Sequence, residues 1–359
     1  MDILLSHTTA LEALRLYGRG APSASDAPSS LPTKAELVSL IDRTPMLARL
    51  TKPLHLLSSG GRGRRRTKLA HGHLCGASLP KRSVMRLASG VLCVTPERLC
   101  VEMAPLLTQL ELVVLMSELL GLYAIDPSAE DGMRQRDQPL MTPESLLAFL
   151  EDCPSARGTT ETRNALALAC VRSGSPRETK LSLRLALKPS RGGYGLNVLA
   201  MNEPLEVRRI ENRMRRGIRK PDILIAGPEL PGGVRMVVAV EYNGRHHDDP
   251  CRLAQDAARS NELKAIDVVE FIVRREHYRD LDYMDGLAHL IREKLGMRAV
   301  SWTVREQALY RQRRRELYNE LELIDGINWN GRERERRARS VAAPDSDWDT
   351  VPVEAYGLA

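Results

Sequence analysis

The chain has 359 residues, 43% of them hydrophobic and 28% charged, which is enough for two domains with a substantial core. Aromatic residues make up only 4%, which argues against a stacking platform for single-stranded nucleic acid. The net charge of +7 favours anionic partners, nucleic acid first, although solvated arginines alone would give the same balance.

The cysteines and the apolar segments indicate the compartment. The six cysteines form no CxxC pair, which is typical of reduced thiols in a cytoplasmic protein. The residues after Asp2 do not fit a signal peptide, and no run of about 18 apolar residues is present to span a bilayer. We therefore expect a cytoplasmic protein without a membrane partner.

Residues 1–172 are predicted to form an N-terminal α+β domain with flexible loops near 20–32 and 59–68. "DILLSHTTALEALRLYG" predicts a strand and then a helix, and "TKAELVSLIDR" predicts a helix capped by Thr33. "PLHLLSS" predicts a strand, and "VMRLASGVLCVTP" a hairpin that turns at Ser89-Gly90. Further helices are expected after Thr95-Pro96, in the apolar run that ends near Gly121, and around 142–152 and 160–172.

Within this half, His71-x-His73-x-Cys75 resembles the ligand spacing of a zinc site. On a strand these three side chains share a face, but no second ligand pair follows at a usual spacing. We therefore do not expect a zinc site in this segment.

Residues 173–300 are predicted to form a second domain. Its first helix begins after Ser175, with Pro176 at the first position and Glu178 in the first turn. Strands are expected at Leu205–Ile210, Pro221–Ala226, Arg235–Glu241 and Val268–Val273, with helices at 251–265 and 280–295. Residues 301–330 are expected to be a basic helical extension and residues 331–359 a disordered tail.

Acidic and amide side chains gather where two strands of this domain meet. Asp222 opens one strand and Glu241 ends the next, so antiparallel pairing would bring both carboxylates to one end of the sheet. Strand alternation places Asn243 on the same face as Glu241. Mg²⁺, or Mn²⁺ in its place, suits such oxygen ligands and a phosphate. After Gly244, His247 would turn back toward the site, while Asp256 and Arg259 share a helix face.

Two basic segments are candidate phosphate contacts. The glycine-rich loop "GGRGRRRTK" offers Arg64, Arg65 and Arg66, and solvated loop residues are the alternative. The second segment lies just before the strand that begins near Pro221 and contains Arg208, Arg209, Arg213, Arg215, Arg216, Arg219 and Lys220.

The segments "SPRETKL", "KPDILI", "VAVEYNGRHHDD" and "DAARSNEL…VVEFIV" resemble the PD-(D/E)xK nuclease superfamily, in its branch like very-short-patch-repair endonucleases. The resemblance covers about residues 175–295. It implies an α/β (α+β) restriction-endonuclease-like core with a mixed sheet flanked by helices. It also implies a Mg²⁺-dependent phosphodiesterase with catalytic residues Glu178, Asp222, Glu241, Asn243 and His247, metal ligands Asp222 and Glu241, and supporting residues Asp256 and Arg259.

Asn243 departs from the superfamily pattern, which usually has a lysine two residues after the acid. An amide can orient water but carries no positive charge. Asp267 also stands where these domains often have glycine.

The N-terminal "SHTTALEALRLYG" resembles the opening of a domain in AbiEi-type antitoxins, without the winged helix that usually precedes it. This resemblance implies a toxin–antitoxin or phage-defence setting, with a cognate toxin or defence protein as partner.

From the nuclease resemblance, the expected function is a metal-dependent DNA endonuclease. The alternative is an inactive DNA-binding regulator or antitoxin that keeps the nuclease fold, and RNA is a further candidate substrate.

Overall fold

The computed structural model describes residues 2–60, 66–75, 79–208, 216–243, 260–298 and 300–342. Within these ranges the protein is α+β, with several sheets flanked by helices. The α+β class expected from the sequence is thus confirmed.

The largest sheet lies in the N-terminal half and has six strands in the order β2-β5-β6-β1-β3-β4. Strand β1 is parallel to β6 and antiparallel to β3, and β3 is parallel to β4. Its strands are β1 Ile3–Leu5, β2 Ala21–Ser23, β3 Leu54–Ser58, β4 Ala70–Leu74, β5 Val84–Ala88 and β6 Val91–Val94. The predicted hairpin at Ser89-Gly90 is confirmed, and Gly90 there adopts a φ of 77°.

Seven helices accompany this sheet in the described part of the N-terminal half. Threonine side chains cap four of them, because Thr33, Thr95, Thr108 and Thr142 each accept a hydrogen bond from a backbone amide of the first turn. The helices are α1 His7–Tyr17, α2 Lys34–Arg43, α3 Pro45–Ala48, α4 Pro96–Met103, α5 Gln109–Leu119, α6 Pro143–Asp152 and α7 Thr159–Leu166.

Three segments of this half differ from their prediction. The helix expected over 160–172 ends at Leu166. The predicted loop at 20–32 contains β2, which pairs with β5. After α5, β7 Tyr123–Ile125 and β8 Met133–Gln135 form a hairpin that was not predicted, since strands this short leave no alternation to read.

The second half contains a four-stranded mixed sheet in the order β14-β13-β12-β9. Strand β12 is antiparallel to both β9 and β13, and β14 is parallel to β13. The bounds are α8 Pro176–Ala186, a 3₁₀ turn Pro189–Arg191, β9 Val198–Ala200, β12 Ile223–Glu229, β13 Arg235–Asn243, β14 Val269–Arg274, α9 Arg275–Arg279 and α10 Leu281–Lys294. Residues 260–264 are helical, and most of the helix predicted at 251–265 lies outside the described residues.

One predicted strand of this half belongs to another sheet. The strand expected at Leu205–Ile210 is β10 Leu205–Arg208, which pairs with β11 Arg216–Arg219 in a two-stranded hairpin. The edge strand of the four-stranded sheet is instead β9, which has three residues and was not predicted.

The two faces of the four-stranded sheet carry different apolar layers. Val238 and Val240 of β13 face the main core, with the leucines of α8. Ala239 and Leu224 face the opposite way and form a second cluster with Val207 of β10, Leu263 and Val268. The basic hairpin therefore packs on the face opposite α8.

The C-terminal segment returns to the N-terminal half. Helix α11 Val304–Leu323 confirms the predicted extension, and Leu317 and Leu321 are buried. Helix α12 Gly331–Ala342 occupies part of the predicted disordered tail, so that prediction is wrong for these residues. The helix is anchored by contacts that local composition cannot reveal: the Gly331 amide donates to Glu111 Oε1 at 2.7 Å, and Arg332 Nε donates to the Leu107 carbonyl at 2.5 Å.

In the described residues, no helix is both long and apolar enough to cross a membrane.

Candidate metal centre

Strand pairing places Asp222 and Glu241 side by side. Ile223 of β12 is the partner of Val240 in β13, so Asp222, one residue before β12, lies opposite Glu241. Residues directly opposite in an antiparallel pair project from the same face of the sheet. Both carboxylates therefore lie on the same face of the sheet as Leu224 and Ala239, just beyond the end of that apolar layer.

Two hydrogen bonds cross between the strands at this point. Asp222 Oδ2 accepts from the Tyr242 amide at 2.8 Å, and Glu241 Oε1 accepts from the Asp222 amide at 3.3 Å. Each carboxylate therefore accepts a hydrogen bond from a backbone amide of the segment opposite its own. These bonds orient both carboxylates.

Asn243 is the last residue of β13 and is exposed. It shares a face with Glu241, because strand side chains alternate. Tyr242 projects to the opposite face, where its ring packs edge-on against that of Tyr278 with the ring centroids 6.1 Å apart. The structure therefore brings Asp222, Glu241 and Asn243 together at one end of the sheet.

Glu178 reaches this end of the sheet through Asn202. Its Oε2 accepts from the Gly174 amide at 2.7 Å and from Asn202 Nδ2 at 2.8 Å. The backbone amide of Asn202 in turn donates to the carbonyl oxygens of Pro221 and Asp222, at 3.0 and 3.3 Å. Asn202 adopts a φ of 50°, which asparagine tolerates better than most residues.

The surroundings of Glu178 favour its protonated form. Burial raises the pKa of its carboxyl above the ordinary value of 4.5, and the hydrogen bonds from Asn202 and Gly174 only partly oppose this. Carboxyl groups with a raised pKa are common at functional sites.

The donor set fits a hard divalent cation. Two carboxylates and one amide oxygen are the ligand types that Mg²⁺ takes in proteins, with the remaining positions left to water and a phosphate. Asp222 and Glu241 would hold the ion directly, and Asn243 could contribute an oxygen or orient a water.

The predicted nucleic-acid contacts divide into two kinds in the described residues. Arg216 is exposed and lies 3.5 Å from Glu206 across the hairpin, while Lys220 is also exposed. Arg219 instead donates to the buried Glu262 at 2.7 Å, which gives it a structural ion pair. Arg208 is the backbone partner of Arg216.

Arg66 lies in the N-terminal half, beside a cavity lined by histidines. The remaining predicted site residues lie outside the described residues: Arg64, Arg65, Arg209, Arg213, Arg215, His247, Asp256 and Arg259.

The structure also brings together residues that the sequence did not single out. Asn202 bridges Glu178 to the residues just before β12, and a lone asparagine in a loop gives no pattern from which this could be predicted. In the N-terminal half, His73 meets His7 and His55 rather than Cys75, whose Sγ donates to the Ser58 carbonyl. Burial lowers the pKa of both His7 and His73 to about 3, and neighbouring histidines contribute.

In comparisons with known proteins, no family model, curated protein or solved structure matched this chain.

Proposed function

We propose that the chain is a metal-dependent endonuclease that acts on DNA, with a PD-(D/E)xK-type core in its second half. The observation that carries this proposal is the pairing of Asp222 with Glu241 at one end of a mixed sheet. The order α8-β9-β12-β13-β14, with β14 parallel to β13, supports it, because such cores have an antiparallel strand meander followed by a parallel strand.

The position of the basic hairpin supports nucleic acid as the substrate. Val207 of this hairpin packs with Leu224 and Ala239, which are each two residues from a carboxylate on the same face. Arg216 and its neighbours would therefore grip the phosphate backbone beside the acids. Backbone contacts of this kind position a duplex without reading its sequence.

Each acidic residue has a distinct role in the proposed reaction. Asp222 and Glu241 would bind the cation, and Glu178 would hold a proton or a water at the edge of the site. A bound Mg²⁺ would supply an activated water and neutralise charge that develops at phosphorus.

The experiment uses purified full-length protein on plasmid and single-stranded DNA and on RNA, with Mg²⁺, Mn²⁺ or EDTA. Asp222→Asn and Glu241→Gln should each abolish cleavage and leave DNA affinity within about threefold of wild type, because the arginines supply most ground-state affinity. Asp282→Asn, which changes an exposed acid on α10, is the matched control and should cut like wild type.

A binding protein without catalysis is the second candidate, and Asn243 favours it, because the superfamily's lysine is missing. In that case, wild type should bind DNA and cut nothing under any metal. Asn243→Lys should then remain inactive, whereas in an active enzyme it should preserve or raise the rate. The resemblance to AbiEi-type antitoxins would suit either candidate in a defence setting.

A further inference from the structure

A second group of potential ligands lies in the N-terminal half, far along the chain from the carboxylates. His7 begins α1, His55 lies in β3 and His73 in β4. One ring nitrogen from each histidine lies within 4.8 Å of the other two. The parallel pairing of β3 and β4 aligns His55 with His71 and Leu57 with His73, so His55 and His73 are diagonal neighbours on one face.

The ring geometry is close to that of a metal site. His73 Nε2 lies 3.0 Å from His55 Nδ1, and the rings of His7 and His73 stack with centroids 3.8 Å apart. Two nitrogens on a tetrahedral Zn²⁺ are separated by roughly 3.3 Å, given metal–nitrogen distances of about 2.0–2.1 Å. Small ring rotations would therefore suffice to place a metal ion between these nitrogens.

A buried carboxylate stands behind the first histidine. His7 Nδ1 lies 3.0 Å from Ser6 Oγ and 3.8 Å from Glu102 Oε2. The Glu102 side chain is only 5% exposed, and this Oε2 accepts no hydrogen bond within the described residues, while Oε1 accepts from Arg98 at 3.0 Å. A carboxylate that orients the far nitrogen of a ligand histidine is a common feature of zinc sites.

The cluster opens into a cavity of about 790 Å³ whose lining also includes Arg66, His71 and Arg157. Three histidines would leave a fourth position of a tetrahedral ion facing this space. A site with an open position is the form found in catalytic and ligand-binding zinc centres, whereas structural sites are closed.

We propose that His7, His55 and His73 bind a divalent transition-metal ion, Zn²⁺ first, with Glu102 orienting His7 and the fourth position open to the cavity. Imidazole ligands suit Zn²⁺ and disfavour Mg²⁺, so this site is chemically distinct from the carboxylate site of the second half. It is independent of the proposed nuclease activity.

The test begins with full-length protein stripped by EDTA and dialysed. Titration with Zn²⁺ by calorimetry, and with Co²⁺ by visible absorption, should each show one equivalent bound, and the Co²⁺ spectrum should have the intense bands of a four-coordinate ion. If wild type binds less than half an equivalent of Zn²⁺ and gives only the weak spectrum of six-coordinate Co²⁺, the proposal is wrong.

Variants locate the ion. His55→Gln and His73→Gln should weaken Zn²⁺ binding by more than the roughly 10–100-fold expected for Glu102→Gln, which removes only an outer partner. His289→Gln, exposed on α10, should bind like wild type. Glu241→Gln should also leave Zn²⁺ binding unchanged, since it alters only the carboxylate site.

Circular dichroism and thermal melting identify variants that fail to fold. Wild type provides a readout that needs no variant, because Zn²⁺ should raise its melting temperature with concentration and protect histidines from acylation by diethyl pyrocarbonate. Retention of full Zn²⁺ affinity in folded His55→Gln and His73→Gln, or absence of protection in wild type, would contradict the proposal.

Discussion

The fold holds the Glu178 carboxyl at a buried position that disfavours its ionised form. Oε2 has two donors, Gly174 and Asn202, yet burial still raises the pKa of the group. A glutamine at this position would keep an oxygen acceptor for both donors and remove the charge. Residues whose ionisation opposes folding are typical of sites selected for activity.

Glu178→Gln should therefore stabilise the metal-free protein at neutral pH and abolish metal-dependent cleavage. For a raised carboxyl pKa, the favourable effect of protonation is complete below the ordinary value of 4.5 and is lost as pH rises through the raised pKa. The gain in free energy of unfolding should be about 0.5–2 kcal/mol at pH 7–8 and should vanish below pH 4.5.

Urea denaturation of both proteins at several pH values measures this difference. Glu36→Gln is the comparison, because hydrogen bonds from Thr33 lower the pKa of this exposed carboxyl, and its change should destabilise instead. A Glu178→Gln variant less stable than wild type at pH 8 would show that the ionised carboxylate contributes to folding.

The hairpin β10–β11 combines a structural arginine with an exposed one. Arg219 donates to Glu262, whose side chain is only 4% exposed, whereas Arg216 is 84% exposed and pairs loosely with Glu206. Since both residues lie in one four-residue strand, substitutions at the two positions separate stability from binding.

Arg219→Ala should lower the free energy of unfolding by about 3 kcal/mol, because it leaves Glu262 buried without this partner. Arg216→Ala should leave stability unchanged and reduce the slope of log affinity against log salt by about one, as expected for one lost phosphate contact. DNA binding measured at several salt concentrations, together with urea denaturation, distinguishes the two effects. An unchanged slope in Arg216→Ala would place the phosphate contacts elsewhere.

Across the whole molecule, α12 depends on close approach at Gly331. A Cβ at this position would come within 2.6 Å of the Glu111 carboxyl, which also accepts the Gly331 amide. Gly331→Ala should therefore lower the free energy of unfolding by about 1–3 kcal/mol, the usual cost of overpacking.

Gly286→Ala is the matched control for this change. Gly286 lies inside α10, and a Cβ there would meet no atom within 4 Å. Alanine is the better helix former, so this variant should gain about 0.5–1 kcal/mol. Thermal melting of both variants provides the measurement, and equal melting temperatures would mean that α12 contributes nothing to the fold.

Sequence reasoning succeeded where the signal was local. Threonine caps, the turn at Ser89-Gly90 and the long strands around Ala226 and Val240 were predictable, because each is marked by a residue type or a run of apolar residues. The three-residue strand β9, the Asn202 bridge and the His7–His55–His73 group were not predictable. They depend on contacts between distant segments, which no residue pattern along the chain records.

The return of the C-terminal segment also affects how the protein is made. Arg15 Nη2 donates to the Gly326 carbonyl, 311 residues later, and Glu111 receives the Gly331 amide 220 residues after it. At synthesis rates of about 5–20 residues per second, the Gly331 amide is made roughly 10–40 s after Glu111. The first half therefore completes this packing only after the residues near Gly331 have been made, so a product terminated before them should be a substrate for chaperones and proteases.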